Sequence, residues 1–114
     1  MAPSIRSSVT PILEVLMIVR VFRARPQPGA ADELARLAEE VSIPFVDAQP
    51  GLVARHAGRG VGATGEELVM VSVWEDLDAM RNMTGDDWDS PVIPDERLEP
   101  LIAESFLHNY ESIG

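Results

Sequence analysis

Two segments of this sequence are apolar on both of their alternating faces, and this pattern limits the possible folds more than any other feature. Residues 15–22 alternate between two sets, Val15, Met17, Val19 and Val21 against Leu16, Ile18, Arg20 and Phe22. Residues 68–74 repeat the pattern, with Val69, Val71 and Val73 opposite Leu68, Met70, Ser72 and Trp74. Strands of this kind lie in the middle of a sheet that is covered on both sides. The two segments are therefore predicted to be central strands.

The other segments complete the order β-α-β-β-α-β. An amphipathic helix follows the breaker at residues 26–29, and Pro44 is expected to end or kink it at Ile43. Strands are predicted at residues 52–57 and 104–112, and strict alternation in the first of these places Leu52 and Arg55 on opposite faces. A glycine-rich hairpin connection is predicted at 58–65, and a short helix after Asp76 that stops near Gly85. An irregular acidic loop then spans residues 86–94. This order predicts an α+β, ferredoxin-like sandwich with one antiparallel sheet and helices on one side.

The predicted sheet has a second, uncovered face, and the chain is too short to cover it. With 114 residues there is room for one domain with a thin core. A second copy of the chain is the economical cover, so the sequence predicts a homodimer. Residues 1–16 are rich in Ser and Pro without periodicity and are predicted to be an N-terminal extension to a domain at 17–114.

Composition and charge bear on partners and location. The net charge of −10, with nine Arg and no Lys, disfavours nucleic acid and anionic membranes as partners. The sequence contains no Cys, which excludes thiolate catalysis and Cys-ligated metal centres. No apolar run reaches membrane-spanning length and no secretory signal is visible. We therefore expect a cytoplasmic protein, and no metal site, because two His residues leave few ligands.

Arg20 and His108 are the candidate catalytic residues. Arg20 lies in an otherwise apolar strand, where a charge is costly unless it is paired or faces a wet cavity. It is either a salt-bridge partner or an anchor for an anionic or enolate oxygen. His108 alternates with Phe106 and Tyr110, and such a His tends to be neutral near pH 7 and able to accept a proton. The alternative for His108 is a hydrogen-bonded structural role.

Candidate ligand-binding residues are mainly aromatic. Trp74 ends the third strand and is interpreted either as a core residue or as a wall against which a ligand stacks. Trp88, in the acidic loop, is either a plug of the domain or a lid over a cavity. The full set of predicted substrate-binding residues is Trp74, Phe22, Met70, His56 and Tyr110.

Several of these segments together resemble a known family. They are residues 17–25 with the following Pro28-Gly29, the helix carrying Leu34, Leu37 and Val41, the turn at 50–52, and the stretch VSVWEDLDA at 71–79. Over residues 17–112 the chain resembles the antibiotic biosynthesis monooxygenase family of dimeric α+β barrel proteins. The resemblance implies a dimer with a ligand cavity between sheet and helices in each subunit.

The resemblance also implies a choice of functions. Some family members oxidise aromatic, polyketide-like substrates with molecular oxygen and no cofactor, others degrade haem, and many have no established reaction. Of the residues that haem-degrading members use, this chain matches only Trp74, because Phe22 stands at the strand-one position and no His lies between His56 and His108. The leading hypothesis is a cofactor-independent monooxygenase for a small aromatic substrate. The alternative is a non-catalytic small-ligand-binding or stress-associated dimer, and haem binding is a third.

Overall fold

The computed structural model describes residues 16–114, so the predicted extension lies, except for Leu16, outside the described residues. Its elements in chain order are β1 (Ile18–Pro26), α1 (Ala31–Leu37), a π-helical turn (Ala38–Ser42), α2 (Ile43–Asp47), β2 (Leu52–Arg59), β3 (Leu68–Trp74), α3 (Leu77–Thr84) and β4 (Ile102–Glu111). Short 3-10 turns at Gly62–Thr64 and Glu99–Leu101 precede β3 and β4. The predicted β-α-β-β-α-β order and α+β class are confirmed.

The four strands form one antiparallel sheet in the order β2-β3-β1-β4. The central positions belong to β1 and β3, the two strands whose sequences are apolar on both faces. Alternate residues of β1, from Ile18 to Ala24, face the helices and are largely buried. The intervening residues Val19, Val21 and Arg23 lie on the opposite, open face, because side chains alternate along a strand. Within residues 16–114, the sheet is therefore covered on one side.

The first helical segment continues past Ile43, where the sequence predicted an end or a kink. Ile43 keeps helical angles, with φ −63° and ψ −51°, and its backbone N–H donates to the carbonyl of Ala38 across a wide π turn. In a regular α-helix the ring of Pro44 would clash with the carbonyl four residues before it. The wide turn immediately before Pro44 accommodates the ring. The helical conformation then runs on to Asp47.

A bulge near the start of β2 changes which of its residues face the helices. The pairing with β3 shifts between Leu52 and Ala54. Strict alternation predicted that Leu52 and Arg55 lie on opposite faces, and that interpretation was wrong. The extra residue, Val53, is exposed, and Leu52 and Arg55 both come to the helix side. A bulge adds one residue to one strand of a pair and so reverses the alternation beyond it.

The core consists of two clusters at opposite ends of the space between the sheet and the helices. One contains Ile18, Val46, Trp74 and Met80, and the other contains Ala24, Leu34, Leu37 and Leu98. The middle of both central strands lies between the clusters, which leaves space there for a cavity. Among residues 16–114, no helix combines the length and the apolar character needed to cross a bilayer.

Candidate active site

A cavity of about 380 Å³ lies between the sheet and the helical segment α1 to α2. Ligand pockets have volumes of about 300–1,000 Å³, so this space fits a small molecule of two or three fused rings. Its walls are mostly apolar. The sheet supplies Arg20, Phe22, Met70, Ser72, Arg55 and Ala57, the helical segment supplies Leu34, Ala35, Ala38, Glu39, Ser42 and Val46, and the loop before β4 supplies Val92, Ile93 and Pro94.

The strand register arranges the helix-facing side of the sheet in rows, and the members of these rows on β2, β3 and β1 form the floor of the cavity. One row is polar and runs through Arg55, Ser72, Arg20 and Asn109, one residue from each strand in the order β2, β3, β1, β4. The next row is apolar and runs through Ala57, Met70, Phe22 and Leu107. Directly paired residues on one face have Cβ atoms about 4.5–5.5 Å apart. The cavity floor therefore has a polar end beside an apolar one.

Arg20 is buried, with an exposed fraction of 4%. Its Nη1 donates to the carbonyl of Trp88 at 2.7 Å and its Nη2 donates to the carbonyl of Ser90 at 2.8 Å. Burial lowers the pKa of the Arg20 guanidinium, and the carboxylate of Asp89 partly offsets this by raising it. Among residues 16–114, Arg20 forms no salt bridge. Its charge instead holds the loop that follows α3 against the sheet by hydrogen bonds to backbone carbonyls.

Ser72 lies beside Arg20 in the polar row and is also buried, with an exposed fraction of 3%. Its Oγ accepts a hydrogen bond from the indole Nε1–H of Trp74 at 2.9 Å. Trp74 itself is fully buried and packs with Ile18 and Met80. Trp74 is thus a core residue that contacts the cavity through Ser72, and it does not line the cavity directly.

The structure divides the predicted site residues between the two faces of the sheet. Arg20, Phe22 and Met70 line the cavity. His108 pairs with Val21, and His56 pairs with Val71, so both histidines lie on the open face. Tyr110 lies there as well, 54% exposed, with its ring 6.4 Å from that of His108. The fold therefore does not bring His108 together with Arg20, and their shared role stays a prediction that this geometry does not support within one protomer.

Several polar cavity residues were not predicted from the sequence, among them Ser72, Arg55 and Glu39. Ser72 and Arg55 belong to the polar row, and Glu39 is an exposed carboxylate that also lines the cavity. Two side-chain hydrogen bonds of 2.9 and 2.8 Å join Arg55 to Asp47 at the end of α2. Ser72 could have been recognised from the sequence, because it is the one hydroxyl residue in the otherwise apolar strand at residues 68–74 and lies two residues before Trp74. Trp88, in the loop that follows α3, packs against the cluster that contains Trp74.

The side chains that line the cavity bear on the alternative of haem binding, because haem iron needs a side-chain ligand. None of the described residues that line it is a His, Cys or Tyr, the residues that most often bind haem iron. Among residues 16–114, no three His, Asp or Glu side chains come together as a metal site. The donor set of the cavity therefore does not match a haem pocket with a His ligand.

Comparison with solved structures identifies proteins that share this fold. A variant of SnoaB from Streptomyces nogalater, a cofactor-independent oxygenase, superposes with a TM-score of 0.65 at 21% identity, covering 84% of this chain and 92% of that chain. A protein from Shewanella oneidensis gives a TM-score of 0.70 at 15% identity over 87% of this chain and 93% of the other. A protein from Mycobacterium tuberculosis gives a TM-score of 0.66 at 16% identity, covering 86% of this chain and 96% of that chain. At these identities the comparison shows a common fold.

The sequence itself carries a family relationship. No curated protein sequence matches the chain. The family profile described as antibiotic biosynthesis monooxygenase matches residues 17–87, which include β1, the helical segment, β2, β3 and α3. This match spans more than half of the chain and includes most of the strand residues that form the cavity floor. The chain therefore belongs to the antibiotic biosynthesis monooxygenase family.

Proposed function

We propose that this protein is a cofactor-independent monooxygenase that oxidises a small, flat aromatic compound with molecular oxygen. The observation that carries the proposal is the cavity of about 380 Å³, apolar along most of its walls and polar along the row of Arg20 and Ser72. Such a space suits a fused-ring compound with one oxygen at the polar end. Family membership and the fold shared with SnoaB, a cofactor-independent oxygenase, support the same reaction class.

The proposed reaction takes all of its electrons from the substrate. In an anthrone, loss of a proton from the ring methylene gives an enolate that is electron-rich enough to reduce oxygen directly. The methylene carbon becomes a carbonyl carbon, one atom of O₂ is retained in the quinone product, and the other leaves as water. This oxidation of CH₂ to C=O supplies the four electrons that O₂ accepts. The protein then has to bind the substrate, stabilise the enolate oxygen and limit the access of water.

The charge of Arg20 provides the electrostatic part of this proposal. A fixed positive charge in a site of low dielectric stabilises a developing anion more than the same charge does in water. The guanidinium is held in position by the carbonyls of Trp88 and Ser90, so it requires little rearrangement when the anion forms. For the proton, Glu39 is the carboxylate that lines the cavity in place of the predicted base His108. An anthrone with an acidic methylene also allows solvent to accept the proton.

Oxygen consumption tests this proposal. The purified full-length chain, treated with a chelator, should increase oxygen uptake in a solution of anthrone, with one molecule of O₂ consumed per molecule of quinone formed. The heat-denatured protein is the control for spontaneous oxidation. Binding of anthrone without any increase in oxygen uptake over the control would contradict the enzymatic proposal and would favour the non-catalytic ligand-binding dimer.

We also propose that the protein is a homodimer whose two sheets pack through their open faces. In the middle of this face the row His56, Val71, Val21, His108 crosses all four strands. Val19 and Val73 adjoin it as a second apolar pair. A contiguous apolar patch on a central sheet is costly in water and favours association.

The mass of the particle in solution tests the dimer. Light scattering coupled to gel filtration should give twice the 12.5 kDa mass of the chain at micromolar concentration. Replacing Val71 with glutamate should shift the particle toward the monomer mass, because dimer formation would then remove two added carboxylates from water. Val61→Glu, on the exposed hairpin connection, is the matched control and should leave the mass unchanged. A wild-type particle of 12.5 kDa would contradict this proposal.

A further inference from the structure

We propose that Ser72 donates a hydrogen bond to the oxygen of the bound aromatic compound, and that Trp74 holds the hydroxyl in this donor role. This inference rests on the cavity of the proposed function and specifies which ligand oxygen that cavity recognises. Ser72 is buried, lines the cavity and accepts a hydrogen bond from Trp74. The reaction proposed above assigns it no part.

The hydrogen-bonding capacity of the Ser72 hydroxyl is only partly used by the described residues. A serine hydroxyl has one proton to donate and two lone pairs that accept. The Trp74 indole occupies an accepting position. Among residues 16–114, the hydrogen bond recorded for this hydroxyl is the one it accepts from Trp74, and its proton stays available to a ligand. A buried donor without an acceptor is unfavourable, so a ligand that brings an acceptor to this point is bound more tightly.

The indole of Trp74 determines the polarity of this contact. An indole N–H donates and has no nitrogen lone pair that can accept, so the Ser72 oxygen is obliged to be the acceptor toward Trp74. The Ser72 proton is consequently directed away from Trp74. Because Trp74 is fully buried, its indole cannot rotate freely to release the serine. The pair therefore selects a carbonyl, phenol or phenolate oxygen over a group without a lone pair.

The charged neighbours of Ser72 favour an anionic form of that oxygen. Arg20 pairs with Ser72 on one side in the sheet, and Arg55 pairs with it on the other. Each arginine has a carboxylate nearby, Asp89 for Arg20 and Asp47 for Arg55. Glu39 is the carboxylate of the cavity lining. These three carboxylates are exposed to solvent, which screens their charge, whereas Arg20 is buried beside Ser72. We therefore assign this end of the cavity to an aryl oxyanion or its protonated phenol.

The experiment compares two aromatic probes of nearly the same shape, 1-naphthol and naphthalene, on the full chain. Wild-type protein should bind 1-naphthol more tightly than naphthalene, and Ser72→Ala should reduce that preference about tenfold while leaving the dissociation constant of naphthalene nearly unchanged. Ser72→Thr retains a hydroxyl and should keep the preference. Ser72→Ala leaves the Trp74 indole without a partner. If that variant fails to fold, the binding preference is measured on Ser72→Thr.

A spectroscopic readout separates recognition of the oxygen from a structural role. Absorbance reports the ionisation of bound 1-naphthol, and its midpoint should lie at lower pH in wild type than in Ser72→Ala by about one pH unit, the shift expected when Ser72 stabilises the bound naphtholate about tenfold more than the bound naphthol. An unchanged midpoint and an unchanged probe preference in Ser72→Ala would overturn the inference, as would wild-type protein that binds both probes equally or binds neither. The preference can persist in protein that consumes no oxygen with anthrone, and that result would contradict the oxygenase proposal while supporting this one.

Discussion

Replacing Ala57 with tryptophan is expected to lower the affinity for anthrone and the rate of oxygen uptake by at least about 100-fold, with the protein still folded. Ala57 lies on β2 in the apolar row, paired with Met70, and its side chain lines the cavity. The cavity of about 380 Å³ is near the lower limit for ligand pockets, so one indole reduces it below a usable size. An aromatic residue is also favourable on a strand, which protects the fold.

A tryptophan at another alanine provides the matched control. Ala48 is exposed at the end of α2 and does not line the cavity. Ala48→Trp therefore adds the same indole without occupying the site, and it should retain the wild-type dissociation constant. The two variants are compared by calorimetric titration with anthrone and by circular dichroism. Equal affinity in Ala57→Trp and Ala48→Trp would mean that the ligand binds elsewhere.

Replacing Arg20 with methionine is expected to release the loop at residues 86–94. This loop is held against the sheet by two hydrogen bonds from the buried guanidinium to the carbonyls of Trp88 and Ser90. A hydrogen bond to a charged group contributes about 1.5–3 kcal/mol to stability, after the lost solvation of its partners is subtracted. Loss of even one such contribution raises the open population of the loop about tenfold or more. Because the same loop carries Val92 and Ile93 of the cavity wall, ligand affinity should fall as well.

Limited proteolysis measures the opening of the loop. Chymotrypsin cleaves after aromatic residues, and Trp88 lies in the loop, so cleavage there should be at least about tenfold faster in Arg20→Met when opening is in rapid equilibrium. Arg81→Met is the control, since Arg81 pairs with the fully exposed Asp86 at the start of the same loop. An exposed pair of this kind contributes little. The same cleavage rate in all three proteins would refute the role of Arg20.

The order of helices and strands along the chain was predictable because its signals are local. Alternation along residues 18–24 and 68–74, and the breakers between elements, depend on neighbours in the sequence. Alternation also placed Phe106, His108 and Tyr110 on one face, as the structure has them. It could not say which face the helices cover, because the central strands are apolar on both. The role predicted for His108 depended on that choice.

Two other features of the site depend on pairing between distant strands. Ser72 and Arg55 share a row with Arg20 only because three strands align in one register, with a bulge after Leu52. A bulge leaves no clear signal in a single sequence, and a serine in a strand looks ordinary until its neighbours are known. Arg20 was recognised from the cost of a charge in an apolar strand. Its partners, the carbonyls of Trp88 and Ser90, are backbone groups that no residue pattern identifies.

The most direct measurement is a crystal structure of the full chain with anthrone bound. Our account predicts the ring system on the helix side of the sheet, over Phe22 and Met70, with its oxygen at hydrogen-bond distance from the Ser72 hydroxyl. Density for anthrone on the open face beside His108, with side chains filling the space above Phe22, would contradict it.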